Sequence, residues 1–208
     1  TNDPGLSDGG WDRGVPAGDG SRGDPTMDAD GSGSCYLTDN VIGNSDVDGG
    51  PTILESPDLD ASDPESVLVY DRWFATTAGS NPEQDVFVIE VSSNGGSTWL
   101  PLETVGPTGD EVAGGWNHRE HKVSDIPGMV NSSQLRVRFI ANDTDPASVV
   151  EAAVDGVRVV AYDCNACPLE DLDGDCAVDF HDLLDLLAAW GPCTLSLIHI
   201  SEPTRPNE

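Results

Sequence analysis

From Cys35 onward the chain alternates short apolar-rich runs with clusters of Gly, Pro, Asp, Asn and Ser. The runs are Cys35 to Thr38, Thr52 to Glu55, Val67 to Ala75, Asp85 to Val91, Thr98 to Leu102, Gly115 to Val123, Leu135 to Ala141 and Val149 to Tyr162. Segments of that length and spacing predict an all-β body. Phe87, Ile89 and Val91 alternate with Val86, Val88 and Glu90, and Leu135, Val137 and Phe139 alternate with Arg136 and Arg138. Each strand therefore has one core face and one wetter face, which a two-sheet sandwich buries. Residues 1–33 are mostly turn chemistry, and only Trp11 to Val15 reads as a strand there. Near the end the period changes. Phe180, Leu183, Leu184, Leu187 and Trp190 fall on one helical stripe, with Asp179 placed to cap its start and Gly191-Pro192 to stop it. A helix of about twelve residues is marginal alone, so the stripe is expected to pack on a second repeat, on the sandwich or on another protein.

Between two of the strand runs, Ser92-Ser93-Asn94-Gly95-Gly96-Ser97-Thr98-Trp99 supplies an Asn-Gly turn, a strong hairpin signal. The segment resembles the Asp-box of sialidase propellers, with Asn94 in the Asp place, but it occurs once, which implies a stabilised hairpin. His118 and His121 have the spacing of a zinc pair, yet on a strand they point to opposite faces. Arg22-Gly23-Asp24 spells an integrin tripeptide in a Gly- and Asp-rich stretch and is read as accidental. No Ser or Cys has an evident base, no Gly-rich phosphate loop follows a strand, and neither HxxE nor HExxH is present.

Charge narrows the classes further. The 208 residues carry 38 Asp+Glu against 9 Lys+Arg, a formal net charge of -29, which excludes nucleic-acid binding because the phosphate backbone is held by Lys and Arg. The acids divide into 27 Asp and 11 Glu, a bias toward turns and cation sites over helices. No apolar run is long enough to span a membrane. Five cysteines, four of them between Cys164 and Cys193, suit disulfides in an oxidising compartment, so a secreted or cell-surface bacterial protein is expected, with its export signal upstream. Cys167 with Cys193 is the first pairing expected and Cys35 with Cys164 the next, leaving Cys176, among 15 arrangements that spacing does not separate.

The densest acid pattern is Asp171-Leu172-Asp173-Gly174-Asp175-Cys176-Ala177-Val178-Asp179-Phe180-His181-Asp182, with acids at loop positions 1, 3, 5, 9 and 12. Ca²⁺ takes six to eight hard oxygens, which such a loop supplies from carboxylates at those positions and a backbone carbonyl at position 7, Ala177. The metal set expected for Ca²⁺ is thus Asp171, Asp173, Asp175, Ala177, Asp179 and Asp182. The stretch Asp171 to Cys193 resembles a type I dockerin repeat. That resemblance implies an EF-hand-type calcium loop and a cohesin-like or other cell-surface partner. It departs from the family at Cys176, which stands where a glycine turns the loop, and in having one repeat instead of two. Asp46, Asp48, Glu151 and Asp155 are candidates for a second calcium site between strand ends.

Over residues 11–164 the chain resembles the MAM-like or concanavalin-like jelly-roll domains that bacteria append to exported enzymes. The resemblance is carried by DVDGGPTILESP from Asp46 to Pro57, the Tyr70 to Phe74 strand, Pro82 to Trp99, Glu103 to Trp116 and VEAAVDGVRV from Val150 to Val159. It implies a sandwich that binds or supports and no catalytic residue. Leu195 to Pro206, LSLIHISEPTRP, resembles the translation of a sequencing adapter, and the gene fragment reads as truncated at both ends. The expected organisation is mainly β: a jelly-roll β-sandwich over 1–163, a dockerin-like calcium-loop and helix module over 164–194, and an adapter-derived, disordered segment over 195–208. The expected function is that of a non-catalytic calcium-binding accessory or anchoring region attached to an upstream catalytic domain. Alternatives are the C-terminal part of a secreted zinc carboxypeptidase or related metallopeptidase, and a carbohydrate-binding sandwich that meets a polysaccharide through Trp11, Trp73 or Trp116.

Overall fold

Strong alternation of β-branched and aromatic residues with polar ones produces ten strands in the computed structural model, which describes residues 1–144, 146–161, 171–172 and 177–189. The chain divides into two compact units, residues 1–162 and 163–208. The first unit holds β1 (Trp11–Gly14), β2 (Cys35–Thr38), β3 (Thr52–Glu55), β4 (Leu59–Ala61), β5 (Ser66–Ala78), β6 (Phe87–Ser92), β7 (Leu100–Val105), β8 (Asn117–Lys122), β9 (Ser132–Ala141) and β10 (Val149–Ala161). Every strand expected from the alternation is present. The short β4 escapes it because three residues set among Ser, Pro and Asp show no period.

The strands form two antiparallel sheets. One runs β1-β2-β10-β5-β8; the other runs β3-β9-β6-β7, with β4 also pairing β9. The inner eight, β2-β10-β5-β8 against β3-β9-β6-β7, have the strand order of a jelly roll, which closes a double-sheet core by Greek-key connections. Inward residues of both sheets make that core, including Leu68, Tyr70 and Phe74 from β5, Phe87, Ile89 and Val91 from β6, Leu135, Val137 and Phe139 from β9, and Val150, Ala152 and Val154 from β10. Its rings interlock: Phe74 stacks on Phe87 at 5.7 Å, and Tyr70 meets Phe139 edge-on at 5.3 Å. A smaller cluster of Cys35, Leu37 and Ala153, flanked by Trp73 and Trp116, lies on the far side of the first sheet.

The β6–β7 hairpin is formed, but its connection spans residues 93–99 instead of a two-residue turn. Asn94 accounts for this: its carboxamide oxygen accepts the Thr98 N–H at 2.9 Å, its amide donates to Thr98 Oγ1 at 2.8 Å, and Ser92 Oγ accepts the Gly96 N–H at 2.9 Å. Gly95 and Gly96 follow at φ 65° and 85°, values that a side chain would strain. In the second unit, α1 (Phe180–Ala189) is the helix expected, and Asp179 caps it by accepting the His181 N–H at 2.6 Å. Phe180, Leu183, Leu184 and Leu187 of its stripe are exposed. No helix among the described residues is long and apolar enough to cross a membrane.

Candidate functional site

The first candidate site is the loop that precedes α1. Asp182, at loop position 12, is buried, and its carboxylate turns back across the loop: Oδ1 accepts the Leu172 N–H at 2.6 Å and Oδ2 the Asp179 N–H at 2.7 Å. Positions 2, 9 and 12 are thus drawn together by one carboxylate, the residue that in an EF-hand-type loop links the ion to the helix. Asp171, Ala177 and Asp179 are among the described residues. Asp173, Asp175 and Cys176 lie outside them, as do Trp190, Cys164, Cys167, Cys193 and the adapter-like segment.

The four acids expected to form a second site do not form one. Glu151 and Asp155 lie four residues apart on β10, about 13 Å along a strand, so a single ion ligated at roughly 2.3 to 2.6 Å does not bridge them. They belong to two different groups. Asp155 joins Asp28 and Asp30, whose ligand atoms lie within 4.8 Å of one another. Its Oδ2 accepts the N–H groups of Ala29 and Asp30 at 2.9 and 3.2 Å and its Oδ1 that of Gly156 at 2.8 Å, so it serves as the peg on which the 28–33 loop is wound.

Glu151 and Asp46 stay together and gain partners that the sequence reading missed. The segment before β3 runs beside β10, with Val47 N–H bonded to Val150 O at 2.9 Å and Ser45 Oγ donating to Glu151 Oε1 at 2.8 Å. Arg22 forms an ion pair with Asp46, and Asp24 is folded into the same corner by the N–H groups of Gly20 and Arg22. Glu151 is 1% exposed, Asp46 4% and Asp24 6%. Burial drives the Glu151 pKa up to about 9; the Ser45 bond opposes this, and the nearby charges of Asp24 and Asp46 add to it. Asp46 Oδ1 is fully covered, and its one partner is the Arg22 guanidinium of that ion pair. Asp48, the remaining expected ligand, is raised in pKa by burial and then by the Asp46 charge, so it borders this group. Three buried carboxylates with one guanidinium and one hydroxyl leave negative charge to spare, although among the described residues only Asp28, Asp30 and Asp155 bring three ligand atoms within 4.8 Å of one another. Arg22-Gly23-Asp24 is consumed in this corner and is not displayed.

A further polar cluster lies on the inner face of the first sheet. Buried Arg72 holds Glu103 at 2.7 Å and also pairs with Glu111, while Tyr70 Oη donates to Glu103 Oε1 at 2.9 Å. Burial would raise the Glu103 pKa, but the Arg72 bond and charge outweigh it and hold the carboxyl below its usual range. His121 stacks on Tyr70 at 5.8 Å, and burial lowers its pKa. His118 points the other way and bonds Asp71 at 2.9 Å. The pair is therefore split across the strand, as the spacing requires.

The indoles expected as a sugar platform are tied down. Trp11 Nε1 donates to Thr52 O at 3.3 Å, Trp73 Nε1 to Gly23 O at 2.6 Å and Trp116 Nε1 to Met27 O at 2.9 Å. Each is partly buried. Cys35 is a buried free thiol whose pKa burial pushes up to about 12, with Asp155 and Asp28 adding to the effect; Cys164, the partner expected for it, lies outside the described residues.

No family model matches the chain, and no curated protein sequence matches it. Solved structures do. The K1 cleaved adhesin domain of Lys-gingipain from Porphyromonas gingivalis W83 aligns with a TM-score of 0.46 and 16% identity, covering 75% of this chain and 86% of that one. A family 28 carbohydrate-binding module specific for non-crystalline cellulose aligns at 0.39 and 11% identity over 74% and 89%. The family 30 module of the cellulosomal cellulase Cel9D-Cel44B of Clostridium thermocellum aligns at 0.35 and 13% identity over 67% and 81%.

Proposed function

We propose that this chain is a non-catalytic accessory region of an exported bacterial protein, a binding or supporting sandwich joined to a dockerin-like module, with Ca²⁺ as structural ion in both. The observation that supports this most directly is the corner of Asp24, Asp46 and Glu151, where three buried carboxylates have one guanidinium among them and burial carries Glu151 far above its usual pKa. Ca²⁺ there would supply the positive charge that Arg22 alone does not, and its binding would release the proton of Glu151. In the second unit, Asp171, Asp179 and Asp182 with the Ala177 carbonyl are the described members of the other calcium set, and an ion held through Asp182 would couple the loop to α1.

In this reading the sandwich lacks catalytic machinery. The Arg72, Glu103 and Tyr70 cluster is a buried ion-pair network in which Arg72 Nη1 alone lacks a hydrogen-bond partner, and His118 and His121 face apart. The dockerin-like unit serves as the anchor, toward a cohesin-like or other cell-surface partner, and the upstream part of the protein supplies whatever chemistry the sandwich assists.

The test is calorimetric titration of the full chain with calcium, together with Glu151→Gln, Asp46→Asn and the pair Asp171→Ala and Asp182→Ala. Two classes of uptake are expected. The first should be lost in the sandwich variants and the second in the loop variants, with affinities in the range of roughly 10⁻⁵ to 10⁻³ M. Absence of any uptake at millimolar calcium, or variants that bind as the parent does, would defeat the proposal.

A further inference from the structure

In a chain so short of cations, where they go is informative. Among the described residues Arg22, Arg72, Arg119, Lys122, Arg136 and Arg138 each pair with a carboxylate. Arg13 and Arg158 pair with none, although the surrounding surface is strongly acidic. Both line the same cleft of about 420 Å³, together with Ser32, Ser34, Tyr36 and Val157.

Three features build the cleft. Arg13 on β1 lies directly opposite Tyr36 on β2, and its guanidinium sits 5.9 Å over the tyrosine ring. β2 pairs with β10 only at Ala153 and Val154, so beyond Cys35 the edge of β10 is open. There β10 bulges between Asp155 and Arg158, with Gly156 at φ 60°, and the bulge re-aims Arg158 while its Nη1 donates to the Gly156 carbonyl at 2.9 Å. The two acids of the wall are already engaged. Asp155 accepts three backbone N–H groups and Asp30 accepts that of Ser32 at 2.8 Å, and neither forms an ion pair with Arg13 or Arg158. Tyr36 is 38% exposed and also lines an adjoining apolar hollow with Leu54, Pro57 and Leu59.

The geometry points to a saccharide site selective for uronic acid units, in which Arg13 and Arg158 take the sugar carboxylate and the Tyr36 ring takes the apolar face of a pyranose. A guanidinium fork matches a carboxylate in a bidentate way, and a half-exposed aromatic ring beside it gives a flat apolar seat. The net charge of the protein opposes polyanions at long range, but at physiological ionic strength the screening length is about 8 Å, so contacts inside the cleft decide. This assignment deepens the reading of the sandwich as a binding module and does not depend on Trp11, Trp73 or Trp116.

The experiment titrates the full chain with tetragalacturonate and, in parallel, with neutral galactotetraose, in excess calcium and again in chelator. Uptake of the acidic tetrasaccharide alone is expected, with Arg13→Ala, Arg158→Ala and Tyr36→Ala each weakening it by about tenfold or more. Arg158→Lys should recover only part of the loss, because the charge returns without the fork. Arg138→Ala, which removes a cation stacked over Trp99 on the other sheet at 4.3 Å, should leave affinity unchanged. All of these side chains are at the surface, and unchanged melting curves would show that the variants fold. No uptake of tetragalacturonate at millimolar concentration, equal uptake of the neutral sugar, or variants that bind as the parent does would overturn the assignment. A chain that takes up the sugar but no calcium would sink the metal reading and leave the cleft standing; the reverse result would sink the cleft alone.

Discussion

Two groups of buried acids in the sandwich solve the same physical problem differently. Asp85 and Asp143 are buried, and Thr144 and Ser148 supply them with donors. Asp85 Oδ1 accepts the N–H and hydroxyl of Thr144 at 2.8 and 2.9 Å, its Oδ2 accepts Ser148 Oγ at 2.9 Å, and Asp143 accepts the Ser148 N–H at 3.0 Å. Burial still lifts the Asp143 pKa, to about 6, against the Ser148 bond that lowers it. At the other group, Glu151 has Ser45 and Asp46 has Arg22, and charge and lone pairs remain unmet. A carboxylate taken out of water needs donors or a cation. The first group is furnished with donors by its own loop, whereas the second is short of them, and that shortage is what the proposed ion would meet.

The largest effect expected from this contrast is that of Asp85→Ala. It strands the Thr144 and Ser148 donors and should cost about 3 kcal/mol, a fall in Tm of roughly 6 to 12 °C that calcium does not rescue. Differential scanning calorimetry with and without calcium checks both halves. Next is the ion itself. At about a hundredfold excess over Kd, calcium should add about 2.7 kcal/mol, and Glu151→Gln should abolish most of the gain. If the gain survives that substitution, the corner is not where the ion binds.

The third effect is in pH. Without metal, Glu151 holds its proton in the folded chain up to about pH 9 and loses it near the usual glutamate value when unfolded. Its folded pKa is raised, so the stability it contributes is complete at acid pH and is lost as pH rises toward 9. In chelator the stability measured by urea unfolding should therefore fall from neutral to mildly alkaline pH, by about 1.4 kcal/mol per unit at most. In calcium, where Glu151 is already ionised, the slope should vanish. A midpoint that rises with pH in chelator would contradict the assignment. The smallest effect belongs to the exposed pairs: Arg136, bonded to Glu55 at 2.7 Å and also paired with Asp58, should tolerate Arg136→Ala with a Tm change under about 2 °C. A larger change would mean that surface charge, and not burial, governs this molecule.

The strands were legible because each is set by its own neighbours: alternation in Phe87 to Val91 and Leu135 to Phe139 places the core face, and Gly, Pro and Asp clusters mark the ends. The helix cap at Asp179 was legible for the same reason. β4 was not, since Leu59–Ala61 is a strand only because β9 offers a pairing edge. Grouping Asp46, Asp48, Glu151 and Asp155 on acidity alone was half right. Asp46 and Glu151 meet, whereas strand rise carries Asp155 to another group, and Asp24 entered from a tripeptide that local reading treats as a turn. The tryptophans show the same limit: an indole that sequence offers as a sugar platform is spent on a backbone carbonyl supplied from elsewhere, as Trp73 is on Gly23.

Local period, turn chemistry and composition are short-range properties, so the sequence by itself determined that this chain is mainly β, that it is strongly acidic and that a twelve-residue acid-rich loop precedes a helix. Register is a long-range property. Ser45 and Glu151 are 106 positions apart, and Arg13 meets Tyr36 only because β1 and β2 pair residue for residue. Which acids lose their water, which keep their donors and which arginines are left facing a cleft were decided only when the two sheets closed, because desolvation acts on neighbours in space and not along the chain.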